Sequence, residues 1–154
     1  MSSLVEKFEQ VRGTYPPEMR QSLVLPLLQI VQKEKGYVTT QDAIMIADYA
    51  GVPPAQALEA LSWYTMLFRA PVGRHVVKVC RNIACSLRGA ERMLAHLERT
   101  LGIAVGETTP DGRFTLLTVE CLASCGSAPV MQVTESHHDQ LDEKKIDEIL
   151  KDLP

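Results

Sequence analysis

Four cysteines are the residues of this sequence whose type and spacing best suit chemistry. They form two pairs: Cys80 and Cys85 are separated by four residues, and Cys121 and Cys125 by three. Thiolates bind both zinc and iron–sulfur clusters, and a structural zinc ion or a [2Fe–2S] cluster can take four of them. The spacing therefore predicts one site held by all four sulfurs, if the fold brings the two pairs together.

Predicted strands would position both pairs. Residues 75–79 are rich in β-branched side chains and predict a strand that ends just before Cys80. Residues 114–120 alternate like a second strand and end just before Cys121. A helix is predicted over 87–101 with Gly102 as its stop, and a strand–helix–strand unit favours parallel pairing of its two strands. We therefore expect both pairs in loops at one edge of a sheet.

The end of the chain completes this second half. Residues 129–133 predict another strand, and Asp142 is the expected N-cap of a last helix. Leu141 is expected to pack on Ile146 as a hydrophobic staple. The order of elements predicts an α/β layer fold.

The first half contains no cysteine and has helical periodicity. One helix is predicted around 23–31 with a stop at Gly36. A second is predicted to begin at the cap Thr40 and to end at Gly51. Its expected apolar face is Ala43, Ile44, Ala47 and Tyr49, and a third helix is expected from Pro53–Pro54 to about Tyr64, with Trp63 and Tyr64 in packing positions.

Two domains are therefore predicted. Residues 1–72 are expected to form a small helical bundle that serves in docking, and residues 73–154 an α/β domain that carries the cysteines. The fold class predicted for the whole chain is α+β with an α/β second half.

Composition narrows the class of protein. The chain has 154 residues, of which 45% are hydrophobic and 23% charged, as in globular proteins. The net charge of −3 and the lack of a basic stripe argue against nucleic acid as a partner. No apolar stretch approaches the roughly 20 residues of a membrane span, so no direct membrane insertion is expected. The N-terminus lacks the apolar core of a signal peptide, so a cytoplasmic location is expected.

Several interpretations of the cysteines remain open at this point. Local disulfides Cys80–Cys85 and Cys121–Cys125 would suit an oxidising compartment, and redox-switch pairs usually have the spacing C-x-x-C. Zinc commonly takes thiolates two to four residues apart, whereas plant-type [2Fe–2S] sites also include an x4 pair. An expected position of Cys85 at a helix N-terminus and many small loop residues favour a cluster, because backbone amides could then approach the sulfurs. Zinc stays the alternative.

The longest patterns around the cysteines resemble one known family. They are CRNIACSLRG at 80–89, GETTPDGRFTL at 106–116 and ECLASCGSAPVM at 120–131. They closely resemble the 24 kDa-type subunit of respiratory complex I, which in bacteria is the E subunit of NADH–quinone oxidoreductase. The first half is similar to that family through residues 26–28 and 36–37.

The resemblance implies a thioredoxin-like [2Fe–2S] ferredoxin domain preceded by a helical domain. Carried over residue by residue, it implies that Cys80, Cys85, Cys121 and Cys125 hold one [2Fe–2S] cluster, and it implies no catalytic residue in this chain. It also implies a larger partner subunit that carries FMN and binds NADH. The chain would then be an electron-transfer subunit of an NADH dehydrogenase, peripheral to the inner membrane through its complex and inactive on substrate alone.

Three positions depart from the family pattern. The family commonly has Thr or Ser near Asn82, Pro near Ala84, and Gly-Ala in place of Ala123-Ser124. These departures leave the four thiols in place and bear on the reduction potential and solvent access.

Rival functions remain open on the sequence. The same cluster subunit occurs in soluble NAD-linked hydrogenases and formate dehydrogenases, whose small subunits resemble this chain. A zinc-stabilised protein-binding adaptor and a thioredoxin-like thiol oxidoreductase are the alternatives from other classes. No G-x-G-x-x-G follows a strand and no P-loop is present, so the nucleotide site is expected on a partner.

Overall fold

A computed structural model describes residues 2–154, with side chains from residue 4 onward. The chain divides into two compact units, Met1–Pro71 and Val72–Pro154. Each unit has a hydrophobic core of its own.

The first unit is built from helices. In chain order they are α1 (Ser2–Arg12), a 3-10 turn (Arg20–Leu23), α2 (Val24–Lys35), α3 (Thr40–Ala50) and α4 (Pro54–Trp63). Leu27, Leu28 and Val31 of α2 are fully buried and pack with Phe8 of α1 and Ile46 of α3. The predicted helical bundle is thus observed, together with α1, which the sequence pattern did not predict.

The cap of α3 differs from the prediction by one residue. The N-cap is Thr39, not Thr40, because Thr39 is extended and its hydroxyl accepts the backbone N–H of Asp42. The Asp42 carboxylate accepts the backbone N–H of Thr39 in return, at 2.9 Å, which completes a capping box. Two adjacent threonines offered two possible caps, and Asp42 lies at the right spacing only for Thr39.

The buried face of α3 is also rotated from the predicted one. Ile46 and Ala50 enter the core beside Ala43 and Ala47, whereas Ile44 and Tyr49 are only half-buried. The Tyr49 hydroxyl donates a hydrogen bond to Glu9 at 2.6 Å, so its polar end remains outside the core. The predicted packing of Trp63 is wrong for the core of this unit, because its side chain is 79% exposed.

The second unit combines a sheet with helices. Its elements are β1 (His75–Cys80), α5 (Ile83–Leu87), α6 (Ala90–Leu101), β2 (Phe114–Val119), a 3-10 turn (Cys125–Ser127), β3 (Met131–Val133), β4 (Ser136–His138) and α7 (Glu143–Asp152). The strand order is β2-β1-β3-β4. β1 and β2 are parallel, as predicted, and the other pairings are antiparallel. The predicted α+β class is confirmed.

Two details of this unit correct the prediction. The helix expected over 87–101 is two helices, because Gly89 adopts a φ of 92° and ends the first before Ala90 opens the second. Cys85 accordingly lies within α5 and not ahead of the long helix. The short edge strand β4 was not predicted, since His137 and His138 carry little strand signal.

The packing of the flanking helices follows the predicted pattern. Met93 and Leu97 of α6 are buried against the sheet. Asp142 caps α7 by accepting the backbone N–H of Lys145 at 2.7 Å, and Leu141 shares a core with Ile146. Among the helices of residues 2–154, none combines the length and apolarity needed to cross a bilayer.

Candidate metal centre formed by two cysteine loops

The parallel register of β1 and β2 brings the two cysteine loops to one sheet edge. Cys80, the last residue of β1, is the Cα partner of Val119, the last residue of β2. The backbone N–H of Arg81 donates to the Val119 carbonyl at 2.9 Å, so the ladder continues to the start of the first loop. Cys121 follows Val119 by two residues. Both loops therefore leave the sheet side by side.

The first pair of thiols is buried in a small apolar pocket. Cys80 is 3% exposed and Cys85 is 2% exposed. Their cluster includes Ala90, Ala128 and Val130 as buried members, with Ala84 and Leu122 packed against it. Because these side chains are small or lie at the rim, the thiols have few bulky neighbours.

Electrostatics join three of the four sulfurs. The pKa of the Cys85 thiol is raised to about 11, chiefly by burial and then by a hydrogen bond with Cys80. Negative charge on Cys80 and on Cys125 raises this pKa further, whereas a hydrogen bond from the Val130 amide lowers it. Groups from both loops thus act on one sulfur, which places Cys125 near the buried pair.

The second pair faces solvent. Cys121 and Cys125 are exposed, and all four cysteines are free thiols. The backbone N–H of Ala123 donates to the Cys121 sulfur at 3.3 Å. Ala123 adopts a φ of 59°, a left-handed conformation that turns the chain between the two cysteines. The free thiols give no support to the local disulfide interpretation.

The donor set fits a dinuclear site. Within residues 2–154, no three His, Cys, Asp or Glu side chains are grouped as ligands of one ion. A [2Fe–2S] cluster requires only two thiolates at each iron, so two neighbouring pairs are sufficient for it. The amides of Val130 and Ala123 already face Cys85 and Cys121, and such donors stabilise anionic sulfur.

Further residues shape the loops in ways that the sequence did not predict. Asn82 caps α5 through its side chain, which accepts the N–H of Ile83 at 2.9 Å. The Glu120 carbonyl lies 3.8 Å from the Cys80 sulfur. The Ala128–Pro129 peptide bond is cis, which the sequence could not reveal. An Asn just before a helix is a recognisable cap, whereas the approach of carbonyls and amides to sulfur has no sequence signal.

The histidines belong to other parts of the unit. The Nε2 of His75 lies 2.9 Å from the Pro154 carbonyl, and His96 Nε2 lies 2.7 Å from Asp147 Oδ1. His137 and His138 lie on β4. These contacts agree with the interpretation of the histidines as structural or surface groups.

The fold and the two cysteine loops together define a metal-binding redox domain. The thioredoxin-like [2Fe–2S] ferredoxin family matches residues 8–154. The chain belongs to this family, and the resemblance inferred from the cysteine motifs is confirmed.

Its relatives carry names from respiratory complexes. It is 43% identical over 146 residues to the second E-type subunit of NADH-quinone oxidoreductase from Rhizobium meliloti, covering 95% of this chain and 86% of that protein. It is 40% identical to NADH-quinone oxidoreductase subunit 2 of Thermus thermophilus, covering 82% of this chain and 70% of that protein. It is 38% identical to the mitochondrial NADH dehydrogenase [ubiquinone] flavoprotein 2 of Dictyostelium discoideum, of which it spans 55%.

Solved structures agree on the fold. NAD⁺-reducing [NiFe]-hydrogenase in its air-oxidized state contains a chain that matches 83% of this one with a TM-score of 0.71 at 20% identity. The H₂-reduced state matches with a TM-score of 0.70. The present chain covers 22% of each hydrogenase chain, and at this identity the likeness concerns the fold alone.

Proposed function

We propose that this chain is an electron-transfer subunit of an NADH:quinone oxidoreductase and holds one [2Fe–2S] cluster on Cys80, Cys85, Cys121 and Cys125. The observation that carries the proposal is the convergence of two cysteine loops at one sheet edge, where Cys80 and Cys125 both act on Cys85. The names of the relatives support the choice of complex.

The residues of the chain would divide the work of holding the cluster. Cys80 and Cys85 are fixed by β1 and α5 in an apolar pocket, which lowers the local dielectric and excludes water. Cys121 and Cys125 lie in an exposed loop, where an electron can reach the surface. When bound, a [2Fe–2S] cluster accepts and releases one electron at a time.

Amides tune such a site without adding charge. The Val130 and Ala123 N–H groups face one sulfur in each pair. Hydrogen bonds to sulfur stabilise the more negative, reduced form and so raise the reduction potential. In the proposed function, FMN and the NADH site belong to a partner subunit, and the chain lies on the cytoplasmic side, associated with the inner membrane through that complex.

A second candidate function keeps the same site. The hydrogenase structures support a place in a soluble NAD-linked enzyme, because their chain shares this fold. We favour the quinone oxidoreductase, because the Rhizobium meliloti relative is 43% identical along nearly its whole length, whereas the hydrogenase chain is 20% identical.

Metal and sulfide analysis of the purified full chain, with EPR after dithionite reduction, tests the cofactor. We expect two irons and two acid-labile sulfides per chain and an S = 1/2 signal. One zinc per chain with no visible absorption would refute the cluster and favour the adaptor. Co-purification of the tagged chain from its native cells then decides the complex, since quinone-reductase membrane subunits and a hydrogenase subunit are mutually exclusive results.

A further inference from the structure

The solvent face of α5 carries two large apolar side chains that no other part of the second unit covers. Ile83 is 73% exposed and Leu87 is 81% exposed. They stand four residues apart, so they share one face of the helix. Cys85 lies between them in sequence, points to the opposite face and is 2% exposed. The apolar face is therefore about one helix diameter, roughly 10 Å, from a proposed ligand.

The charge around this face differs from that of the whole chain. Residues 81–92 contain three arginines, Arg81, Arg88 and Arg92, and one acidic residue, Glu91, although the chain has a net charge of −3. Arg81 lies 3.6 Å from Glu120 and Arg92 lies 3.8 Å from Glu143, but all four side chains are at least 45% exposed. Exposed pairs of this kind contribute little, so the arginines remain available to a partner.

An apolar pair beside arginines is the composition of a protein-binding surface. Interface centres are enriched in large apolar side chains and arginine, and charged rims set the encounter rate and orientation. Here that surface adjoins the only sheet edge where cysteines are exposed in the described part of the chain. A partner seated there would lie next to the exposed thiols, which is where an electron must cross.

We infer that Ile83 and Leu87, bordered by Arg81 and Arg88, form the docking face for the electron-exchanging flavoprotein subunit, which presents an apolar patch rimmed by carboxylates. This inference rests on the proposed function and adds to it the partner-facing surface and the charge of its counterpart.

The test uses the full chain with its cluster and the purified flavoprotein subunit from the same genome. The binding constant is measured for the wild type, Leu87→Ser, Ile83→Ser/Leu87→Ser and Arg88→Glu, with Val105→Ser as the control for an exposed apolar residue elsewhere in the unit. Iron content and the EPR signal are recorded for each variant.

We expect the double variant to keep its iron and EPR signal and to bind about tenfold or more weakly. Arg88→Glu should weaken binding most at low salt, and Val105→Ser should remain within about twofold. Tight binding by Leu87→Ser and Arg88→Glu, with intact clusters, would overturn the docking face and leave the proposed function standing. A wild-type chain that holds its cluster and does not bind the flavoprotein would overturn both.

Discussion

Cys80 and Val119 are Cα partners at the last pair of the parallel β1–β2 ladder. This single register relationship fixes the distance along the chain from the sheet edge to each cysteine loop. A shift by one residue would turn the Cys80 side chain to the other face of the sheet, because side chains alternate along a strand. The site therefore depends on the register as much as on the number of cysteines.

Replacement of each proposed ligand by serine should remove most of the iron. Serine oxygen is a poorer ligand than thiolate for iron in a cluster. We expect Cys80→Ser and Cys121→Ser each to lose the visible absorption, although one side chain is buried and the other exposed. Ser124→Ala, in the same loop, is the matched control and should keep its iron. A wild-type spectrum for Cys121→Ser would remove that residue from the ligand set.

Ala123 should respond to glycine in the opposite sense from an ordinary loop alanine. Its φ of 59° costs an L-residue about 1–2 kcal/mol, which glycine avoids. Ala123→Gly should therefore raise the free energy of unfolding by up to about 1 kcal/mol, after the entropy cost of glycine is subtracted. Ala104→Gly, an exposed loop position without a positive φ, should lower it by about 0.5–1 kcal/mol. Denaturant unfolding decides, and a loss of stability in both variants would contradict the argument.

The sequence predicted those features that follow from local pattern. The parallel pair of strands, the stop at Gly102 and the cap at Asp142 all come from signals within a few residues of the element. The four cysteines were identified for the same reason, because their ligand chemistry is encoded in residue type and spacing. Their grouping required only one further rule, that parallel strands place their carboxyl ends together.

The remaining features depend on backbone geometry and on contacts between distant residues. The division of one predicted helix at Gly89 and the choice of Thr39 over Thr40 are decided by backbone conformations that the local pattern leaves open. The Val130 amide reaches Cys85 from a segment 45 positions away in the chain, as their residue numbers show. No periodicity records such an approach, so tuning groups around a metal site are visible only in the folded chain.

The Asp42 carboxylate should stabilise the helical unit in a pH-dependent way. Burial opposes its ionisation, but hydrogen bonds from Lys35 and Thr39 outweigh burial and hold its pKa below the ordinary value of 3.8. A lowered folded-state pKa gives stability that is present above the unfolded pKa and is lost as the pH falls through the folded one. Asp42→Asn should therefore cost about 1 kcal/mol near neutral pH and progressively less below about pH 4.

Urea unfolding at several pH values measures this effect, and Asp48→Asn serves as the control. Asp48 lies on the exposed side of the same helix, so its variant should remain within about 0.5 kcal/mol of the wild type. A cost for Asp42→Asn that stayed constant down to about pH 2 would show that ionisation is not its source.

Gly73 should tolerate no side chain. A Cβ at this position would lie 2.6 Å from the Phe114 carbonyl carbon and 2.9 Å from the Thr115 nitrogen, both of them backbone atoms. The Gly73 N–H also donates to Thr115 Oγ1 at 2.6 Å, which holds the two segments together. Gly73→Ala should cost about 1–3 kcal/mol or more in the second unit. Gly126→Ala, whose added Cβ meets nothing within 4 Å, should unfold as the wild type does.

Arg113 should be needed to hold the end of α7 on the sheet. Its guanidinium donates to the carbonyls of Leu153 and, at 3.4 Å, of Leu150, and it lies 4.8 Å from the Phe114 ring centroid. Charged donors to carbonyls near a helix C-terminus contribute about 1.5–3 kcal/mol, and the planar fork of arginine serves two acceptors where lysine cannot. Arg113→Lys should therefore be nearly as destabilising as Arg113→Met.

Amide hydrogen exchange in α7 is the measurement that separates this role from a general loss of stability. Both Arg113 variants should exchange α7 amides about tenfold faster or more, while the amides of β1 change little. Arg99→Met, an exposed arginine on α6, should leave α7 exchange unchanged. Uniformly faster exchange throughout the second unit in the Arg113 variants would mean that the guanidinium supports the whole core, because a local anchor can affect only the helix that it holds.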